Sequence, residues 1–407
     1  MPAPLSGLRV LDLSRVLAGP WCGQIMADLG CEVIKVERPG RGDDTRGWGP
    51  PNLKDAEGRD TGEAGYYLAA NRGKKSLTLD IASPEGQEIA RALARKSDIL
   101  IENYKVGSLK KYGLDYDSLH AIHPGLIYCS ITGFGQTGPY AERPGYDVMA
   151  QAMGGLMSVT GERDDRPGGG PQRVGVAVSD IFTGVYSAVA ILAALHHRDK
   201  TGAGQHLDMA LLDVTLAIMS NQALNYLVSG VAPGRIGNEH PNVVPYQAFP
   251  TKDFHIVLAV GNDAQFARFC DIAGRPELAK DPRFATNSQR IVHRATIIPI
   301  VAEIMTEKTR AEWMEALEQA GIANGPINTL DQVFDNPQVK ARGMKIALPH
   351  PVAGSVPLVA SPLRFSETPV AYDRAPPTVG QHTDEVLRDL LGFADGKIKV
   401  LREMKVV

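Results

Sequence analysis

The sequence has little of what marks exported, membrane-bound or metal-dependent proteins. Its N-terminus lacks a basic segment followed by an apolar one, and no run of about 18 apolar residues suggests a membrane span. HExxH does not occur, and we expect no metal site. The four cysteines form no CxxC pair and indicate reduced core thiols: Cys22, Cys31, Cys129 and Cys270. We therefore expect a cytoplasmic protein without a membrane partner.

Length, charge and missing motifs narrow the class further. At 407 residues the chain is longer than one ordinary core supports, so we expect two domains. The 43 Lys and Arg nearly balance the 46 Asp and Glu, and a net charge of −3 offers no attraction for nucleic acid. GxGxxG, GxxxxGK[ST] and GxSxG are all absent, which argues against an ordinary dinucleotide enzyme, a P-loop protein or a serine hydrolase.

The first 135 residues alternate strand and helix patterns. Strands separated by helices predict a parallel, Rossmann-like sheet with right-handed crossovers. A helix is predicted over 19–30 and another from Ser83, because Ser followed by Pro84 is a strong start signal. Segment 40–65 is rich in Gly, Pro and charge, and predicts a surface excursion or an active-site loop. The strands are predicted at 8–14, 31–38, 76–80, 98–103 and 126–134.

The remainder of the chain predicts a second, smaller domain. Residues 178–229 look mostly helical, interrupted by a strand at 206–213. A strand at 254–260 and later helical patterns indicate an α+β domain, and a helix is predicted at 382–392 near the C-terminus. Because residues 230–245 are dense in Gly, Pro and Asn and read as a linker, we assign 1–229 to a large domain, 230–325 to a small domain with its linker, and 326–407 to a C-terminal segment.

Two aspartates stand at the start of helical patterns. Asp180 begins the apolar stretch 178–197, directly after the glycine-rich segment 167–176. An Asp in this place is commonly an N-cap, but a carboxylate in a dry pocket can instead attack an activated carbonyl. Asp147, preceded by Tyr146, is likewise either a helix cap or a site residue. The residues alone leave both interpretations open and favour the cap for Asp180.

Basic residues follow the predicted sheet edge. Arg38 ends the second strand, where Rossmann-like sheets often contact a ribose phosphate, and NRGKK follows at 71–75. Lys105, Lys110 and Lys111 come after the fourth strand. Each alone is typical of a solvated loop, but together they predict an electropositive rim for a phosphorylated cofactor. Coenzyme A, with its 3′-phosphate and pyrophosphate, meets that description.

Several long motifs occur in order along nearly the whole chain: LDLSRVLAGPWCGQIMADLGCEVIKVERPGRGDDTRGW, TGFGQTGPYAERPGYD, VGVAVSDIFTG and GNEHPNVVPYQAF. Together they resemble the family III CoA transferases (CaiB/BaiF family), which include carnitine CoA-transferase and α-methylacyl-CoA racemase branches. The resemblance implies a large Rossmann-like domain built from both chain ends, to which 326–407 would return, and a smaller α+β domain. It also implies an interlinked homodimer, each chain threading a ring formed by the other.

The resemblance also implies site residues. Asp180 corresponds to the catalytic aspartate of the family. Gly261 and Asn262 would approach the acyl group from the small domain. No permanently bound cofactor is implied, because CoA is a substrate. The residues that would bind CoA are Arg38, Leu79, Asn103, Tyr104, Lys105 and Lys111, and those that would line the thioester are Val16, Ala18, Tyr146 and Asp147.

The residue before Asp147 separates two chemistries of the family. Racemase members carry a histidine there, and racemisation needs paired acid and base groups at the substrate carbon. This chain has Tyr146 instead, which favours transfer. A 2-methylacyl-CoA racemase or epimerase and a catalytically inactive CoA-binding protein are the alternatives.

The implied reaction is CoA transfer from an acyl-CoA to a carboxylic acid through an aspartyl-CoA thioester on Asp180. Overall likeness to the succinyl-CoA:glutarate branch suggests succinyl-CoA as donor and a short dicarboxylate as acceptor. We expect the Asp180 carboxyl to be ionised at neutral pH without a general base, because the pKa of a free aspartate is about 3.9.

Overall fold

The computed structural model describes residues 2–407, which form a mixed α/β structure. Its strands are β1 (Arg9–Asp12), β2 (Glu32–Glu37), β3 (Asn52–Lys54), β4 (Asp60–Ala64), β5 (Lys74–Thr78), β6 (Ile99–Glu102), β7 (Ile127–Thr132), β8 (His206–Ala210), β9 (Tyr246–Pro250), β10 (His255–Ala259), β11 (Ala323–Pro326), β12 (Lys345–His350) and β13 (Gly354–Val359). Its helices are α1 (Ala18–Asp28), α2 (Gly65–Leu68), α3 (Pro84–Arg95), α4 (Tyr116–His120), α5 (Asp147–Met153), α6 (Leu156–Val159), α7 (Val178–Thr201), α8 (Leu211–Ile218), α9 (Ser220–Ser229), α10 (Asp263–Ile272), α11 (Pro276–Lys280), α12 (Asn287–Val292), α13 (Arg294–Met305), α14 (Arg310–Gln319), α15 (Leu330–Asp335), α16 (Pro337–Ala341), α17 (Thr383–Leu391) and α18 (Asp395–Glu403).

The central element is a six-stranded sheet in the order β5-β2-β1-β6-β7-β8. Every pairing in it is parallel, so the predicted parallel sheet is confirmed. Counted within the sheet alone, the strands run 3-2-1-4-5-6, which is the doubly wound order of dinucleotide-binding folds. The winding direction reverses between β1 and β6. In such sheets the crevice beyond the carboxyl ends of those two strands is where ligands bind.

The sheet is apolar on both faces because helices cover both. In β1, Val10 packs in one core layer with α1 and α7, and its neighbour Leu11 packs in the other with α3, α17 and α18. Successive strand residues point to opposite faces, so a buried parallel strand needs an unbroken apolar run. All four cysteines carry buried, free thiols, as the sequence predicts.

The chain forms two compact units. The larger comprises residues 2–156, 174–224 and 337–407, so both chain ends contribute to it. The smaller comprises 157–173 and 225–336, and contains the antiparallel sheet β11-β10-β9. A cluster around Phe249, Phe269 and Trp313 forms the core of the smaller unit. The sequence-based domain limits, 1–229, 230–325 and 326–407, remain a prediction and did not anticipate the excursion 157–173.

Three segments differ from the sequence prediction. The strand predicted at 206–213 ends at Ala210, and α8 begins at once because its Leu211 and Val214 are buried at helical spacing. The excursion 40–65 contains the hairpin β3–β4. The C-terminal segment contains the hairpin β12–β13 and the final helix α18, neither of which was predicted.

Helix α7 is long and apolar enough to cross a membrane, which differs from the expectation that the chain has no such run. It is the one helix of this kind between residues 2 and 407, and a core helix passes the same test. One face of α7 packs on α1, where Gly184 meets the Ala18 carbonyl so closely that a Cβ would lie 2.7 Å from the oxygen. On the opposite face the large apolar side chains stay exposed: Phe182, Val185, Tyr186, Val189 and Leu192.

Candidate functional site

A cavity of about 320 Å³ lies at the carboxyl ends of β1 and β6, the point where the winding reverses. Its lining includes Asp180 from the first turn of α7. A second cavity of about 180 Å³ lies beside it, and Arg15 and Tyr104 line both. The other main segments of the first cavity follow β1 (15–18), follow β6 (103–106), end β7 (131–133) and precede α5 (143–146).

Asp180 is not the cap of its helix. The N-cap of α7 is Ala177, and Asp180 lies in the first turn. The free amides of that turn are instead satisfied by Asp147, whose Oδ1 accepts hydrogen bonds from Ser179 N at 2.9 Å and Asp180 N at 3.4 Å. Both local cap interpretations are therefore wrong, because Asp147 also makes no cap bond to its own helix α5. It is buried and caps α7 from a distance.

A side-chain amide holds Asp147 in this role. Gln151 Nε2 donates a 2.6 Å hydrogen bond to Asp147 Oδ2, and Gln151 Oε1 accepts one from Val174 N at 2.9 Å. Gln151 is fully buried, so each of these bonds replaces lost contact with water. The arrangement ties α5, the start of α7 and the chain before it into one rigid support for Asp180.

The Asp180 carboxylate accepts no hydrogen bond from any residue between 2 and 407. Burial, and secondarily the Asp147 charge, raise the pKa of its carboxyl to about 7. The expectation of full ionisation at neutral pH is therefore wrong. The physical reason is that burial penalises the charged form of the carboxyl, and the nearby Asp147 carboxylate adds like-charge repulsion. When ionised, such a poorly solvated and relatively basic carboxylate is a better nucleophile than an exposed aspartate.

The turn after β1 carries backbone strain at the cavity. Val16 has φ of 71°, a left-handed conformation that a β-branched residue rarely adopts. Its neighbour Arg15 is locked by a reciprocal pair, because Arg15 N donates to Asn103 Oδ1 at 2.8 Å and Asn103 Nδ2 donates to Arg15 O at 2.6 Å. A buried ion pair between Lys35 and Asp43, 2.8 Å long, lies behind the turn.

The same turn leads into α1 without a side-chain cap. Leu17 is the N-cap residue and offers no hydrogen-bonding side chain, and Leu17 and Ala18 line the cavity. The first amides of a helix carry a partial positive charge and stabilise anions placed against them. This end of α1 can therefore stabilise negative charge that develops on a substrate in the cavity.

Most of the residues predicted from the resemblance line one cavity or the other. Four do not. Lys111 lies outside both linings, with its Nζ 4.7 Å from the centroid of the Tyr112 ring, and Asp147 lies behind Asp180. The other two are Gly261 and Asn262. The first cavity is lined by Val16, Ala18, Asn103, Tyr104, Lys105, Tyr146 and Asp180, and the second by Arg38, Leu79 and Tyr104.

Gly261 and Asn262 belong to the smaller unit. Gly261 N donates a 2.7 Å hydrogen bond to Gln265 Oε1, and Asn262 caps α10 by accepting one from Gln265 N at 2.9 Å. Sequence reasoning missed Arg15, Asp44 and Arg143, which also line the first cavity. All three lie within the motifs that resemble the family, close to residues that the resemblance assigned to the site, and this position could have indicated them.

The comparisons with known proteins show the family of the chain. The model of CoA-transferase family III matches residues 5–383, and the chain belongs to that family. The chain is 50% identical over 387 residues to the succinate–glutarate CoA-transferase of Agrobacterium fabrum, covering 95% of this chain and 96% of the relative. It is 43% identical to the human succinyl-CoA:glutarate CoA-transferase, covering 99% and 90%.

Among solved structures, a CaiB/BaiF family protein from Brucella suis superposes with a TM-score of 0.84 at 50% identity. The match covers 96% of this chain and 100% of that one. The resemblance inferred from the motifs is thereby confirmed, and with it the prediction of an enzyme of the CoA-transferase class.

Proposed function

We propose that the protein transfers CoA from succinyl-CoA to a short dicarboxylic acid such as glutarate, with Asp180 as the nucleophile. The observation that carries this proposal is the Asp180 carboxylate, which lines the cavity at the reversal point of the sheet and accepts no hydrogen bond from residues 2–407. The names of the relatives from Agrobacterium fabrum and human support the choice of substrates.

The two adjoining cavities suggest how CoA is placed. Arg38 and Leu79 in the second cavity would hold the adenosine 3′-phosphate end. The pantetheine arm would pass between Arg15 and Tyr104, which line both cavities, and bring the thioester to Asp180. The predicted phosphate contacts from the Asn103–Tyr104–Lys105 turn and from Lys111 belong to the same proposal.

The chemistry is a sequence of acyl transfers. An Asp180 oxygen attacks the succinyl thioester carbonyl, the C–S bond breaks, and a succinyl–aspartyl anhydride and CoA thiolate form. The thiolate attacks the aspartyl carbonyl and releases succinate, which leaves a β-aspartyl-CoA thioester. Glutarate then attacks that thioester and displaces the thiolate again. Attack of the thiolate on the glutaryl carbonyl gives glutaryl-CoA and restores Asp180.

The surroundings of Asp180 supply the stabilisation that these steps need. Oxyanions and the departing thiolate carry negative charge, which the uncapped start of α1 at Leu17 and Ala18 would offset. Because only the ionised carboxylate attacks, the pKa of about 7 for Asp180 would make turnover rise through neutral pH.

The oligomer and the location belong to the same proposal. The exposed apolar stripe of α7, with Phe182 at 42% and Val189 at 57% exposed, would be covered in an interlinked homodimer. Four reduced, buried cysteines are consistent with a cytoplasmic protein. No permanently bound cofactor is part of the proposed reaction.

The test is a panel of mono- and dicarboxylic acids incubated with succinyl-CoA, in which new acyl-CoA and released succinate are identified by mass. We expect glutaryl-CoA from the wild type and a loss of about 1000-fold or more in Asp180→Asn and Asp180→Ala. Asp199→Asn is the matched control, because Asp199 is exposed near the other end of the same helix. Full activity in either Asp180 variant would contradict the nucleophile, and an absence of any new acyl-CoA would contradict the transfer.

A further inference from the structure

The first cavity contains three cations with different partners. Arg15 is neutralised by Asp44, with 3.0 Å between Nη1 and Oδ2. Lys105 belongs to the turn after β6 that the proposed function assigns to CoA. Arg143 has no carboxylate within ion-pair distance among residues 2–407, and its guanidinium lies over the Tyr140 ring, 4.1 Å from the centroid. An aromatic face holds a guanidinium without cancelling its charge, so Arg143 brings a net positive charge to the cavity wall.

The backbone that carries Arg143 is fixed by close packing. A Cβ on Gly133, at the end of β7, would lie 2.5 Å from Gly145 Cα, so the two backbones are in direct contact. Arg143 N also donates a 2.9 Å hydrogen bond to Tyr140 O, which closes the turn beneath the stacked guanidinium. The cation therefore sits on a rigid wall rather than on a free loop.

The same wall is joined to the nucleophile. Segment 143–146 runs directly into Asp147, whose Oδ1 accepts the hydrogen bonds from Ser179 N and Asp180 N. Arg143 and Asp180 thus line one cavity and are held by one continuous stretch of chain. Such coupling fixes the separation between a charge that recognises one end of a substrate and a group that reacts with the other.

A dicarboxylic substrate needs a second charge partner. While one carboxyl group reacts at Asp180, the other stays ionised in a cavity that already contains the carboxylates of Asp180 and Asp44. An uncompensated anion there is repelled and poorly solvated, whereas a guanidinium binds a carboxylate through two parallel hydrogen bonds. Resting on the proposed function, we propose that Arg143 binds the distal carboxylate of the dicarboxylic substrates and so selects them over monocarboxylic acids.

The test compares substrates that differ only in the distal group. As acceptors, glutarate is compared with valerate, and as donors, succinyl-CoA is compared with butyryl-CoA. The Kd of free CoA measures the binding of the CoA moiety that both donors share. In Arg143→Ala we expect kcat/KM for glutarate and for succinyl-CoA to fall about 100-fold, because the positive partner of the distal carboxylate is lost. Values for the monocarboxylic partners and the Kd of free CoA should stay within about 3-fold, since neither contains the distal group.

Two further variants keep the result interpretable. Arg143→Lys retains the positive charge but not the paired N–H donors of the guanidinium, and it should keep part of the activity towards glutarate that Arg143→Ala loses. Guanidinium ion added to Arg143→Ala should likewise restore part of that activity. Arg95→Ala is the matched control, because Arg95 is an exposed arginine in the last turn of α3. An unchanged Kd for free CoA shows that the alanine variant is folded.

The outcomes separate the inference from the proposed function. Equal losses for all acyl-CoA substrates and weaker binding of free CoA would show that Arg143 binds CoA, which overturns the inference while transfer to glutarate stands. The inference would also be overturned if the kcat/KM of Arg143→Ala for glutarate equalled that of the wild type. If the wild type transfers CoA to monocarboxylic acids alone, the dicarboxylate function fails first and the inference fails with it.

Discussion

Replacing Asp180 by Asn should stabilise the protein, and more so at higher pH. The pKa of the Asp180 carboxyl is raised from 3.8 to about 7 by burial and by Asp147, so the folded state disfavours the anion that the unfolded chain forms freely. For an acid whose folded pKa is raised, stability is greatest below the unfolded pKa and is lost as pH rises towards the folded pKa. A buried acid that destabilises its own protein is typical of sites shaped for reactivity.

The magnitude follows from the shift. About three pKa units correspond to roughly 4 kcal/mol at full ionisation, with less than half of it present near pH 5 and nearly all of it near pH 8. Asn is neutral at every pH and nearly the same size, so Asp180→Asn removes this penalty. We expect the advantage of the variant in free energy of unfolding to grow by more than about 2 kcal/mol between those two pH values.

Thermal midpoints of the wild type and the variant, measured from about pH 5 to pH 8, give the result. For a chain of this size about 2 °C corresponds to 1 kcal/mol, so the difference between the midpoints should widen by several degrees. Asp199→Asn is the control, because it removes an exposed carboxylate from the same helix and shows how much of the change in thermal midpoint comes from losing a negative charge alone. A difference between Asp180→Asn and wild type that does not change with pH would refute the argument that Asp180 is desolvated.

Three further predictions follow from the same contacts. Asp147→Asn keeps the hydrogen-bond acceptor for α7 but removes the like charge, so the acidic limb of the kcat/KM profile should move to lower pH; an unmoved limb would exclude the coupling. Burial raises the pKa of Glu102 to about 7, so Glu102→Gln should gain stability relative to wild type as pH rises from about 5 to 8 in thermal unfolding. Gly184→Ala places a Cβ 2.7 Å from Ala18 O and should lower the free energy of unfolding by about 1–3 kcal/mol in urea titrations, an effect that would be missing if α1 and α7 can separate freely.

The parts of the fold set by local pattern were predictable. Ser83 caps α3 by accepting a 3.1 Å hydrogen bond from Gly86 N, as its sequence signal indicates. The parallel sheet followed from strands alternating with helices. The hairpin β12–β13 was missed because Pro349 and Pro357 interrupt its strands, and a proline within an apolar run argues against a strand.

The candidate site was predictable only as a set of residues. Local reasoning left a helix cap or a site role open for Asp180 and Asp147 and favoured the cap for Asp180, whereas Asp147 caps the helix of Asp180 across 33 positions of sequence. The raised pKa of Asp180 comes from burial and, secondarily, from the Asp147 charge, and no local sequence pattern contains either. Arg143 was missed for a similar reason, because its lack of a carboxylate partner among residues 2–407 is a property of the folded cavity.

Trapping the covalent intermediate tests the central claim most directly. The protein is incubated with succinyl-CoA alone, treated with hydroxylamine or borohydride, digested, and its peptides are mapped by mass. The account predicts a hydroxamate or a reduced alcohol at Asp180 that depends on succinyl-CoA, is absent from Asp180→Asn, and is lost when succinyl-CoA is removed and glutarate is added before trapping. Active protein with no label at Asp180, or with the label on another carboxylate, would contradict it.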